Sequence, residues 1–187
     1  MRSVLFPGQG SQYVGMGSDF YAKFDLVKKN FEIVDKALGF SLSNLILNGP
    51  ESELKLTMNT QPAIMAVGFS IFTVLNREFN LNLHDSKFFV GHSLGEYTAL
   101  VCSGSLSLEK AAYLLHERGK AMQDAVPQGE GAMTAVLGMT IDEVQKEIDL
   151  LPKEGVCEIA NDNSNGQVVV SGTSQIVKML NENLKKK

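Results

Sequence analysis

The sequence feature that most constrains the fold is Gly91-His92-Ser93-Leu94-Gly95, which lies between an apolar run and a helical pattern. A G-x-S-x-G pattern alone is a weak signal, because glycine and serine are common. Between a strand and a helix it is typical of a nucleophile elbow, a strained turn that projects the serine hydroxyl from a sheet edge. The alternative is an ordinary turn in which Ser93 caps the helix. The flanking strand and helix patterns favour the elbow.

The elements around this segment predict an α/β fold with a doubly wound, mostly parallel sheet and an α/β-hydrolase-like core, because strands alternate with helices. In the longest helix, Thr60 or Gln61 is expected near the start and Pro62 at the first helical position. The predicted strands are 4–6 and 87–90, and the predicted helices are 25–38, 63–79, 94–103 and 107–125.

The pattern changes to β-α-β-β-α beyond residue 127, which predicts a domain boundary there. This order is that of a ferredoxin-like α+β unit without its last strand. We therefore expect a large domain at 1–127 and a smaller, incomplete one at 128–187. The predicted strands of the smaller domain are 132–137, 156–160 and 167–171, and its predicted helices are 140–151 and 174–184.

Composition excludes several classes of protein. With 17 basic and 21 acidic residues, the chain has no basic footprint for nucleic acid. Cys102 and Cys157 are far apart and lack metal-ligand spacing, so neither a disulfide framework nor a zinc site is expected. The N-terminal apolar run is too short for a signal peptide, and the apolar stretch 63–75 is too short to span a membrane. We expect a cytoplasmic protein without cofactor or metal.

None of the three histidines is a convincing general base for Ser93. His92 is adjacent in sequence, and neighbours at an elbow project differently, so it is predicted to support the turn by hydrogen bonding. A role as the base is the alternative. His84, in a polar loop, and His116, in the middle of a helix, have no better claim.

Arg118 lies on an apolar helical stripe, because Leu114, Leu115 and Met122 are its neighbours at helical spacing. A guanidinium there cannot lose its proton and needs an anionic partner. Two interpretations remain open: an internal salt bridge to a glutamate, or a bidentate clamp for a substrate carboxylate.

A glycine-rich turn, residues 6–12, follows the first predicted strand. It is not a dinucleotide-binding fingerprint, since Tyr13 occupies the third glycine position, and no P-loop lysine follows. The turn is either a simple tight turn or the loop that gives an elbow enzyme its second oxyanion-hole amide.

Taken together, the chain resembles the malonyl-CoA:acyl carrier protein transacylase family, the acyltransferases of bacterial type II fatty acid synthesis. The resemblance rests on five ordered blocks, at 6–12, 60–63, 91–97, 117–119 and 163–169. It implies transfer of a malonyl group from malonyl-CoA to the phosphopantetheine thiol of acyl carrier protein. Those two molecules are the implied partners, and the complete enzyme is expected to be a monomer.

The resemblance also implies roles for individual residues. Ser93 would form a malonyl ester, and Arg118 would bind the malonyl carboxylate. The backbone amides of Gln9 and Leu94 would form the oxyanion hole, while the side chain of Gln61 would line the site.

From the smaller domain, Asn163 would face the same cleft. The catalytic histidine of the family lies in a Pro-Ser-His segment that this sequence does not contain. The chain is therefore expected to correspond to an N-terminal part, to be poorly stable by itself and to lack turnover.

Three other readings remain. One is an acyltransferase domain of a polyketide synthase, although the short leader and the lack of linker sequence favour a free-standing enzyme. A serine hydrolase is another, which a buried Arg118 disfavours. The last is an inactive remnant that binds acyl carrier protein or coenzyme A.

Overall fold

The computed structural model describes residues 2–127 and 129–185, and the chain divides into two compact units, Met1–Gln123 and Asp124–Lys187. The first unit combines helices with a parallel sheet, so the expectation of an α/β fold is confirmed at this level. Its elements are β1 (Ser3–Phe6), α1 (Ser18–Lys23), α2 (Asp25–Leu38), α3 (Leu42–Asn48), α4 (Glu51–Leu54), α5 (Thr57–Arg77), β2 (Phe88–Gly91), α6 (Leu94–Cys102) and α7 (Leu108–Asp124).

The parallel pair β1 and β2 is the part of the fold that positions the elbow. Its register runs from Ser3 opposite Phe88 to Phe6 opposite Gly91. Parallel strands end at the same edge of a sheet. The glycine-rich turn after β1 and the turn after β2 therefore emerge side by side.

Helix α2 has the predicted bounds, because its start and stop are encoded locally. Gly39 ends it in the left-handed conformation, with φ of 75°, and donates its N–H to the carbonyl of Asp35 at 2.9 Å. Helices α1, α3 and α4 were not predicted. They have six, seven and four residues, too short for a clear helical period.

The prediction for the start of α5 is wrong. The helix begins at Thr57, so Pro62 lies inside it and not at its first position. Side chains of the first turn bind the preceding segment, where Asn59 Nδ2 donates to the carbonyl of Glu53 at 2.9 Å and Thr60 Oγ1 to that of Leu54 at 2.6 Å. These contacts with the segment just before α5 stabilise the helical turn upstream of the proline, against the local preference.

Helix α5 is also longer than the apolar stretch seen in the sequence. Within the described ranges it is the one helix long and apolar enough, by length and composition, to cross a membrane. In the structure, 61% of the apolar 18-residue segment of this helix is buried inside the protein. The core helix of a globular protein has the same features.

Two hydroxyl oxygens of the first unit, Ser86 Oγ and Thr98 Oγ1, are buried and have no hydrogen-bond partner among the described residues. Thr98 is 1% exposed. Replacing an unsatisfied buried hydroxyl by a methyl group removes a desolvation cost of about 1 kcal/mol. We expect Thr98→Val to raise the midpoint of thermal unfolding by about 2–4 °C.

Thr60→Val is the matched control, because Thr60 is fully buried but its hydroxyl is hydrogen-bonded to Leu54. This variant is expected to lower the midpoint. Equal shifts in the two variants, measured by circular dichroism, would show that hydrogen bonding does not distinguish the two hydroxyls.

The second unit is an antiparallel sheet with two helices. Its elements are β3 (Gly131–Leu137), α8 (Ile141–Asp149), β4 (Cys157–Ser164), β5 (Gln167–Thr173) and α9 (Ser174–Leu184). The strands lie in the order β3-β5-β4. Thr140 and Glu143 form a capping box at the start of α8. Strand β4 continues to Ser164, beyond the predicted end at residue 160, through two register shifts against β5.

Candidate active site

Ser93 lies at the point where β2 gives way to α6, in an unusual backbone conformation. Its φ is 55° and its ψ is −113°, and it is one of three described non-glycine residues with positive φ. The side chain makes no capping hydrogen bond to the helix, which argues against the ordinary-turn alternative. A strained serine exposed at the end of a strand is the geometry of a nucleophile elbow.

The two glycines of the elbow are required by close backbone contact. A Cβ on Gly91 would lie 1.9 Å from the carbonyl carbon of Gly95. A Cβ on Gly95 would lie 2.6 Å from the carbonyl oxygen of Phe6, at the end of β1. The elbow is therefore packed directly against the turn that follows β1.

Two backbone amides lie in the segments that this packing brings together. The amide of Leu94 is in the first turn of α6, where N–H groups have no partner within the helix. Gln9 lies in the turn after β1, and its side chain donates from Nε2 to Thr57 Oγ1 at 3.3 Å. An amide in the first turn of a helix, as for Leu94, favours developing negative charge. The oxyanion-hole role of the Gln9 and Leu94 amides stays a prediction.

Arg118 contacts the serine directly. Its Nη2 donates to Ser93 Oγ at 3.1 Å, and its Nη1 donates to Gln61 Oε1. The sequence placed Arg118 on an apolar stripe of α7, and the residue is half-buried there. No carboxylate of residues 2–127 and 129–185 forms an ion pair with it. The salt-bridge alternative thus has no partner within the described structure.

Gln61 holds the guanidinium from the other side. It is fully buried in α5, and its Nε2 donates to Met122 Sδ at 3.3 Å while its oxygen accepts from Arg118. Sequence analysis did not single out Met122 as part of the site. Its position four residues after Arg118 places both side chains on one face of α7, and this spacing is the sequence signal that could have identified Met122 as part of the site.

The three histidines have different surroundings. The ring of His84 lies nearly perpendicular to that of Phe72, with the two ring centroids 5.1 Å apart, and the Nδ1 atom of His116 lies 3.0 Å from the carbonyl oxygen of Met58. The backbone of His92 donates to the carbonyl of Phe6 at 3.3 Å. The supporting role of His92 stays a prediction.

Asn163 lies in the second unit, exposed on β4, where its Nδ2 donates to Gln167 Oε1 at 3.3 Å. Its expected role stays a prediction.

Burial raises the pKa of the thiols of Cys102 and Cys157, which disfavours the nucleophilic thiolate in both.

An apolar groove of about 380 Å³ runs along β1 and α5 in the first unit, but it is not the candidate site. None of Ser93, Gln61 and Arg118 lines it. The candidate site is instead at the elbow, where the guanidinium of Arg118 meets the hydroxyl of the strained Ser93.

A serine elbow on an α/β fold is typical of proteins that form an acyl ester on the serine. The family model described as the acyl transferase domain matches residues 4–187, so the chain belongs to this family.

Among curated relatives, the chain is 42% identical over 181 residues to the malonyl CoA-acyl carrier protein transacylase of Bacillus subtilis, and 39% identical over 175 residues to that of Escherichia coli. The matches cover 96% and 94% of this chain but 56% of each relative. The chain thus spans little more than half the length of these relatives.

Solved structures agree with this assignment. The acyl-carrier-protein-S-malonyltransferase of Bartonella henselae matches with a TM-score of 0.91 and 44% identity, over 100% of this chain and 60% of that one. A complex described as a type II PKS acyl-carrier protein with its malonyl-transacylase matches with a TM-score of 0.89 and 36% identity, over 98% of this chain and 59% of that one.

Proposed function

We propose that the site of this chain transfers a malonyl group from malonyl-CoA to the phosphopantetheine thiol of acyl carrier protein, through an ester on Ser93. The observation that carries the proposal is the contact between Arg118 Nη2 and Ser93 Oγ at 3.1 Å. A carboxylate carried by an acyl group on Ser93 is then within reach of a cation that has no ion-pair partner among the described residues.

The reaction proceeds in two matched steps. Ser93 Oγ attacks the thioester carbonyl, the carbon–sulfur bond breaks, and the serine proton ends on the departing coenzyme A thiol. The thiol of the carrier protein then attacks the ester carbonyl, the bond between the acyl carbon and Ser93 Oγ breaks, and the proton of that thiol ends on Oγ. In each step the amides of Gln9 and Leu94 stabilise the negative charge on the carbonyl oxygen.

Selectivity for malonyl over acetyl comes from the guanidinium of Arg118, which Gln61 holds in place. The carboxylate carbon of a malonyl ester is separated from Oγ by only two carbon atoms, so the carboxylate lies beside Arg118. Gln61 holds one arm of the guanidinium and leaves the other free to bind the carboxylate in place of the serine oxygen. An acetyl group offers no such partner.

The more detailed structural predictions made from the sequence are part of the same proposal. They are a doubly wound sheet continuing from β1 and β2, a ferredoxin-like second domain from residue 128, and Asn163 facing the cleft. A cytoplasmic monomer that binds neither nucleic acid nor membrane completes the proposal. Relatives named as transacylases favour the enzyme over the inactive remnant.

Intact-mass measurement after incubation with malonyl-CoA tests the proposal. Since we assign no general base among the described residues, imidazole is added to take the serine proton. We expect one malonyl adduct, located on the peptide that contains Ser93, formed faster than the acetyl adduct from acetyl-CoA.

Ser93→Ala is expected to abolish the adduct. Ser103→Ala, at an exposed serine after α6 that bonds the carbonyl of Leu100, is the matched control and is expected to keep it. An adduct that persists without Ser93, or no adduct on the parent chain, would refute the proposed function.

A further inference from the structure

The proline in α5 leaves one backbone group of the site without its usual partner. In an α-helix the carbonyl of Met58 accepts from the N–H of the residue four positions later, which is Pro62 and has none. The Nδ1 atom of His116, on α7, lies 3.0 Å from this carbonyl oxygen. Because a carbonyl can only accept, Nδ1 carries the proton in this contact.

The N–H of the same residue is also bound by α7. Met58 is in the first turn of α5, where amides have no partner within the helix, and Leu56 before it provides no side-chain cap. Gln123 Oε1 accepts from the Met58 N–H at 2.8 Å. Both polar groups of one peptide residue are therefore satisfied by side chains of another helix.

The contact between the two helices is close. A Cβ on Gly119 would lie 2.3 Å from Met58 Cα, so only glycine permits this approach. His116, Gly119 and Gln123 are spaced three and four residues apart and share one face of α7. We call these three residues the Met58 clamp.

A neighbouring stripe of α7 reaches the site itself. Arg118 and Met122 hold the two ends of the Gln61 carboxamide, one turn after Met58 in α5. The position of Gln61 relative to Arg118 thus depends on where α7 holds the first turn of α5.

We infer that His116 and Gln123 are positioning residues for carboxylate selectivity: they fix Met58, and through it the distance between Gln61 and Arg118. The inference rests on the proposed function. Both side chains bind Met58, and neither is placed to touch the substrate. Loss of either contact leaves Arg118 in place but loosens the carboxamide that aims it.

The test compares the rates of Ser93 acylation by malonyl-CoA and acetyl-CoA, with imidazole, in the full 187-residue chain. His116→Ala and Gln123→Ala each remove one hydrogen bond of the Met58 clamp, so that Gln61 no longer holds Arg118 in a fixed position. Each variant is expected to lower the ratio of the malonyl rate to the acetyl rate about fivefold. Gln123→Glu keeps an acceptor oxygen for the Met58 N–H and is expected to retain the parent ratio.

Two further measurements do not depend on acylation. In the parent chain, the ring nitrogen shifts of His116 are expected to show Nδ1 protonated. The Met58 amide is expected to exchange faster with solvent in Gln123→Ala than in the parent or in Gln123→Glu. Gln145→Ala, at an exposed glutamine of α8, is the matched control. It is expected to change neither the ring nitrogen shifts of His116 nor the exchange rate of the Met58 amide.

An unchanged ratio in Gln123→Ala, with the Met58 amide released, would overturn the inference. Since Gln123 is exposed, this variant decides the question even where His116→Ala fails to fold. A parent chain with no malonyl preference would instead refute the proposed function, and with it the selectivity role. The ring shifts and the amide exchange would still report whether the Met58 clamp exists.

Discussion

Gly91→Ala is expected to destabilise the folded chain by about 3 kcal/mol or more, a large share of the stability of a typical domain. The new Cβ would lie 1.9 Å from the carbonyl carbon and 2.0 Å from the carbonyl oxygen of Gly95, and backbone atoms cannot move aside as a side chain can. Urea unfolding followed by circular dichroism measures the effect.

The control for this prediction is Gly39→Ala, at the end of α2. This glycine has φ of 75° but no atom within 4 Å of its Cβ position, so the substitution costs only backbone strain of about 1 kcal/mol. Equal losses in the two variants would show that the elbow is not the tight contact described above.

Arg118→Ala is expected to lower malonyl transfer to Ser93 by at least about tenfold, because the malonyl carboxylate loses its charge-assisted partner. Transfer of acetyl, which has no carboxylate, is expected to fall much less. Rates of adduct formation from malonyl-CoA and acetyl-CoA, measured by intact mass with imidazole, give both numbers.

Arg77→Ala, at an exposed arginine of α5, is the matched control and should leave both rates unchanged. Equal losses for malonyl and acetyl in Arg118→Ala would point to a structural role for the guanidinium. Arg118→Lys separates charge from geometry, since lysine keeps the charge but cannot bind Gln61 with one nitrogen and the carboxylate with another.

The comparison of α2 with α5 shows where sequence reasoning succeeds. Helix α2 was predicted with its correct bounds, because its apolar spacing and Gly39 are local signals. The start of α5 was predicted five residues too late, since a proline inside a helix is locally unfavourable. Asn59 and Thr60 bind carbonyls six residues earlier, outside the helical spacing, and the donor that His116 offers to Met58 comes from 58 residues away in sequence.

The same division holds for the candidate site. The elbow was predicted because a strand, a G-x-S-x-G segment and a helix are consecutive in the chain. For Arg118 the sequence left a salt bridge and a carboxylate clamp equally open. Only the fold brings the guanidinium to Ser93, 25 residues away in sequence, and shows that no described carboxylate pairs with it.

What the sequence determined by itself is therefore local: the bounds of α2, the elbow with its two glycines, and the ordered blocks that identify the family. Only the tertiary structure decided the contacts made across helices, namely Gln61 with Arg118 and Met122, and Met58 with His116 and Gln123. The physical reason is that a side chain's partner depends on how two helices pack. That packing is set by all the residues between them, not by either segment alone.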